Sequence, residues 1–214
     1  MQPIDVPTQL STSTHQLLRS ATQSAHSQLE RDTLLARLLA ADLQLSEYAN
    51  ILFGFRYFFQ HFEARLTAER GVHEELKEYQ YRSRIPLLEN DMQQLNSMLP
   101  QWEAPHYNSN NAMIVSHALP KLITVPQQLG AFYVLEGASQ GGRVITKRLA
   151  HRFANADKIA AYFGYWQTEP NSWCDWQRCA ARVSLNQTQQ IEAVHAARST
   201  FFAIECALAH RRHN

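Results

Sequence analysis

The hydrophobic residues of this chain recur at intervals of three and four almost from end to end, and runs that alternate apolar with polar residues are absent. That pattern predicts an all-α fold. A first helix should begin near Ser13 or Thr14, either of which can cap it, with Leu18, Ala21, Ala25 and Leu29 as its apolar stripe. A second should run from Ser46 to Gly71, a residue suited to ending a helix. A third follows Pro86, which fits a first helical turn, and reaches Pro100. After a loop over 101–111, Thr124 and Pro126 open a long helix that fades between Arg152 and Asn155. An aromatic-rich connection then leads to two last helices, "WCDWQRCAARV" and "QTQQIEAVHAARSTFFAIECALAHRR". With no repeat, low-complexity linker or composition break, the expectation is one helical domain over 14–214 behind a frayed tail, 1–13.

The net charge of +1 gives no electrostatic case for nucleic acid or for an anionic membrane. No apolar run approaches the roughly 20 residues that a membrane span needs. The N-terminal residues carry neither a basic segment nor an apolar one of the signal-peptide kind. Cys174, Cys179 and Cys206 form no metal-type or disulfide spacing, which suits a reducing compartment. A soluble cytoplasmic monomer is expected.

Against this helical background one stretch stands out. Of only 7 glycines, Gly137, Gly141 and Gly142 fall together in "LEGASQGGRV", inside the long helix. Each interior glycine costs a helix roughly 0.5–1 kcal/mol relative to alanine. Gly137 and Gly141, four apart, strip one face of side chains over a full turn. Either a neighbouring helix or a ligand must come very close to that backbone.

The first helix offers a matching partner. Turning about 100° per residue from Leu18, His26 lies near 80°, at the border of the apolar stripe. It reads either as a half-buried surface histidine or as a ligand to a metal or cofactor. Glu30, four residues on, is placed to orient the imidazole. Arg19, two turns or roughly 10 Å back on the same face, suits a ligand carrying carboxylates. A flat ligand between His26 and the bare glycine face would account for both features.

These stretches resemble the heme oxygenase family. "LRSATQSAHSQLE" is similar to its proximal helix and "FYVLEGASQGGRVI" to its distal helix, with "RIPLLENDMQQL" and "STFFAIECAL" falling where that family has an arginine-led acidic segment and a C-terminal helix. The resemblance spans roughly residues 14–208 and looks most like the bacterial branch that accompanies bacteriophytochromes. It implies a single-domain helical bundle of the heme oxygenase fold. Heme would be both substrate and cofactor, with O2 and an external electron donor such as ferredoxin or a flavoprotein reductase. The products would be biliverdin, Fe2+ and CO, and a bacteriophytochrome is a candidate receiver of the biliverdin.

The resemblance also implies roles. His26 would be the iron ligand, Glu30 its orienting partner, and Arg19 the partner of a propionate. Gly137, Gly141 and Gly142 would form the distal backbone that steers oxygen onto the ring. Phe132 would stand beside the heme edge, and Arg178 and Arg182 would supply further propionate contacts. One position departs from many family members, which carry an aspartate directly after the first distal glycine to hold a proton-delivering water network. Here it is Ala138, with Gln140 or Arg143 as the nearby polar alternatives. A heme-binding or heme-buffering protein without turnover is therefore an alternative. A di-iron oxidase is another, because "EAVH" (Glu192 to His195) has the spacing of helical di-iron ligands, although the other copy, "EAPH", contains Pro105.

Overall fold

The computed structural model describes residues 13–69 and 71–209. Among these residues the chain is all-α and contains no strand. The helices are α1 (Thr14–Asp32), α2 (Leu45–Ala68), α3 (Ile85–Met98), α4 (Ser109–Ala118), α5 (Val125–Arg152), α6 (Ala156–Ile159), α7 (Tyr165–Thr168), α8 (Ser172–Arg182) and α9 (Gln187–Leu208). Short 3-10 segments at Leu34–Leu39 and Glu74–Leu76 complete the order. Of the tail expected over 1–13, residues 1–12 lie outside the described residues.

Local chemistry sets the helix ends. Ser13, not Thr14, caps α1, its hydroxyl accepting from Gln16 N–H while the Gln16 side chain returns to the Ser13 N–H. Thr124 and Gln127 make the same reciprocal cap at α5, with Pro126 in the first turn. Gly71, at φ 74°, takes the left-handed conformation that turns the chain away from α2, and its N–H donates to Leu66 C=O at 2.7 Å.

The core is one contiguous cluster. The run "FGFRYFF" supplies part of it, since Phe55, Phe58 and Phe59 of α2 are buried with Phe62. At the centre α5 lies directly on α9, where Ala193, Ala196 and Ala197 keep the α9 surface low. A Cβ on Gly130 would come within 2.0 Å of the Ala193 carbonyl oxygen, so the two backbones touch there. None of the described helices is long and apolar enough to cross a membrane.

The sequence reading missed α4, the 3-10 segments and the short helices α6 and α7. Asn108 caps α4 through Asn111, inside the segment expected to be loop. Helices of four residues leave too short a record for periodicity to register.

Candidate functional site

His15, Arg19 and His26 fall within about 40° of one another around α1. His26 Nδ1 sits 3.4 Å from Glu30 Oε2, and the ring stands edge-on to Phe201 of α9, centroids 5.9 Å apart. The His26 side chain is 57% exposed, more open than its place beside the apolar stripe implies. Arg19 is exposed on the same stripe. With Nδ1 turned to a carboxylate, Nε2 is the nitrogen left to offer its lone pair to a metal.

The stripe leads to the glycines. His15, at its N-terminal end, packs against Trp173 of α8 at 5.4 Å and Tyr133 of α5 at 6.2 Å. The Trp173 ring in turn lies 3.8 Å from where a Gly137 Cβ would stand. At Gly141, one turn on, a Cβ would meet nothing within 4 Å. Ala138, Gln140 and Gly141 are exposed. So the α1 stripe and the bare face of α5 join at Trp173, and the face is open from Gly141 onward.

Gly142 does something else. It lies about 140° around the helix from Gly137, and a Cβ there would come within 2.2 Å of the Phe163 carbonyl oxygen. A glycine there lets the backbone pack on the α6–α7 connection, a contact apart from the bare face that Gly137 and Gly141 share. Phe132 also faces the core. It is fully buried against Tyr79, Tyr81 and Phe62, because it too stands about 140° from Gly137, on the core side of α5.

Behind the bare face is a polar cluster of which the sequence reading picks out only the arginine-led acidic segment that begins at Arg84. Glu136 is fully buried, and its Oε1 accepts from Arg84 Nη2 and from the Tyr79 hydroxyl, each at 2.5 Å. Arg84, 3% exposed, lies over the Tyr165 ring with its guanidinium carbon 3.6 Å from the centroid, and also donates to the Arg82 carbonyl. Burial works to lower the Arg84 pKa, but the Glu136 carboxylate overrules it and holds the guanidinium charged above its ordinary value. Burial pushes the Tyr79 hydroxyl well up and that of Tyr165 to about 12, so both stay protonated. Seven residues beyond Arg84, buried Asp91 accepts from the N–H groups of Ala161 and Tyr162, both at 2.8 Å. Burial raises its pKa to about 6 against the pull of those two bonds.

The remaining candidates are engaged elsewhere. Arg178 pairs with Asp175 in its own helix, and Arg182 pairs with Glu78. Arg143 lies over the Trp166 ring, 4.6 Å from its centroid. Glu192 accepts from Gln127 Nε2 at 2.7 Å, while His195 is exposed. Among the described residues no group of three or more His, Cys, Asp or Glu is placed to hold a metal ion, so "EAVH" gains no partner motif.

Comparison with known proteins bears on this arrangement. A sequence model described as "Heme oxygenase" matches residues 12–206. A heme oxygenase of Xanthomonas campestris pv. campestris is 25% identical over 131 residues, covering 61% of this chain and 70% of that protein. The solved structure of heme oxygenase from Leptospira interrogans superposes with a TM-score of 0.66 at 18% identity, over 92% of this chain and 98% of that one. Heme oxygenase-1 of the cyanobacterium Synechocystis, solved in complex with heme, gives 0.64 at 15% identity, over 92% and 90%.

Proposed function

The chain belongs to the heme oxygenase family, and we propose that it opens heme to biliverdin in an O2- and electron-dependent reaction that releases Fe2+ and CO. The observation that carries this reading is the series of neighbours that leads from the α1 stripe bearing His26, through His15 and Trp173, to the open backbone at Gly141. A flat macrocycle fits there because a Cβ at Gly141 would project into free space, and because the adjoining stripe carries an imidazole and a cation.

Heme, when bound, supplies both the iron that activates O2 and the ring that is oxidised. The protein supplies position. His26 would hold the iron through Nε2, with Nδ1 kept toward Glu30. Arg19 would pair with a propionate. Arg178 and Arg182 would have to leave Asp175 and Glu78 to do the same. Gly137 and Gly141 would bring backbone alone to the oxygen side, so that no side chain fills the space beside the ring edge. With Ala138 in place of a carboxylate, protons would arrive through water held by backbone groups and by Gln140. Electrons would come from a separate ferredoxin or flavoprotein reductase, and a bacteriophytochrome is the fitting receiver of the product.

The test is the hemin complex in air with ascorbate or a ferredoxin system, catalase being present to remove free peroxide. The expected outcome is loss of the Soret band as biliverdin absorption grows. A Soret band that persists under these conditions refutes turnover and leaves the heme-buffering alternative, which Ala138 favours.

A further inference from the structure

The buried side chains of α5 change character at Glu136. From Val125 to Glu136 nearly every residue is buried, whereas after Glu136 only Gly142 and Leu149 are. Glu136 is thus the last fixed point before the bare turn, and what fixes it is charge. Arg84 stands at the N-terminus of α3 and Asp91 two turns along it. Arg84 reaches Glu136 and covers Tyr165, while Asp91 holds the N–H groups of Ala161 and Tyr162. Phe163, between those contacts, is the residue whose carbonyl abuts Gly142. The open half of α5 is therefore held from behind at Glu136, directly by Arg84 of the α3 N-terminus, and at Gly142, through the 161–163 segment that Asp91 of α3 holds.

A buried ion pair is weak evidence for stability, since well-packed apolar replacements are often neutral or stabilising. It does constrain direction, since Arg84 and Tyr79 both donate to the same oxygen of Glu136. We propose that Arg84 and Glu136 are positioning residues for the heme reaction, their ion pair setting where the Gly137–Gly141 turn stands relative to the ligand. The inference rests on the heme reading above.

The test compares Glu136→Gln, which keeps shape but leaves Arg84 uncompensated, with the double variant Arg84→Met/Glu136→Met, which removes both charges. Glu136→Gln should melt lower, and the double variant should recover most of that loss, stopping short of wild type because the buried Tyr79 hydroxyl loses its acceptor. Recovery should stop there. In the haem-free double variant, amide exchange over residues 137–144 should be about tenfold faster, as local opening becomes easier. In its ferrous heme–CO complex the C–O stretching band should shift or broaden, and the biliverdin isomer ratio should change. A double variant with wild-type exchange, CO band and isomer ratio overturns the proposal. So does a Glu136→Gln variant that matches wild type in all three. If wild type binds hemin but forms no biliverdin, the turnover reading fails while the CO band still decides; without hemin binding, amide exchange decides.

Discussion

Two adjacent glycines should respond to the same substitution with opposite signs. At Gly142 an added Cβ would lie 2.2 Å from the Phe163 carbonyl oxygen and 3.1 Å from Trp166 Cδ1. The nearer obstacle is backbone, so relief requires the α6–α7 connection to move by about 1 Å to restore ordinary van der Waals separation. Overpacking of this kind costs typically about 1–3 kcal/mol, and alanine returns about 0.5–1 kcal/mol of helix propensity. The net loss for Gly142→Ala is then about 0–2.5 kcal/mol, centred on about 1 kcal/mol, which is a fall in Tm of about 2–4 °C for a domain of this size. At Gly141 a Cβ would meet nothing within 4 Å, so Gly141→Ala keeps the propensity gain and should raise Tm by about 1–4 °C. Circular dichroism melts of the heme-free protein measure both. A Gly142→Ala variant that melts at or above the wild-type temperature would refute the packing argument, and with it the division of the glycines into two roles.

His26→Ala should abolish the histidine-ligated Soret signature of the hemin complex, and an unchanged spectrum would remove His26 as ligand. Gly141→Leu should leave the heme-free fold intact while weakening hemin binding; undiminished affinity and turnover would return the bare face to helix packing. Asp91 should make stability pH-dependent. Its folded-state pKa is raised to about 6, so the burial penalty is full above that pH and is relieved as pH falls toward the unfolded value of about 4. Between pH 7 and 5 wild type should therefore gain about 1–2 kcal/mol relative to Asp91→Asn in urea unfolding; parallel pH profiles would contradict it.

Helix type and order were legible because α1, α2, α5 and α9 are long and amphipathic, and their caps are local: Ser13 with Gln16, Thr124 with Gln127. The bare face was legible for the same reason, since glycines four apart need no tertiary knowledge to share a face. The sequence could not separate Gly142 from Gly141, because the difference lies in Phe163, 21 residues away in the chain. Nor could it give the surroundings of Phe132, which come from Phe62, Tyr79 and Tyr81. The Arg84–Glu136 pair left two faint traces: a charged residue inside the apolar run "FYVLEG", and Arg84 and Asp91 one heptad apart on α3. Each trace becomes informative only once the other is known to face it.

Three glycines of α5 share one side of the helix, within about 40° of one another: Gly130, Gly137 and Gly141. Along that side the neighbour recedes step by step. At Gly130 it is the α9 backbone at 2.0 Å, at Gly137 the Trp173 ring at 3.8 Å, and at Gly141 nothing within 4 Å. One sequence device thus serves close helix packing at one end and an open surface at the other. A ligand seated at Gly141 would occupy, against α5, the place that α9 takes at Gly130. The opening is confined to one side because the back of the same turn is closed by Gly142 on Phe163 and by Glu136 on Arg84. A helix with little side-chain bulk on one face and two tight holds on the other can let a flat ligand approach its backbone without being displaced by it.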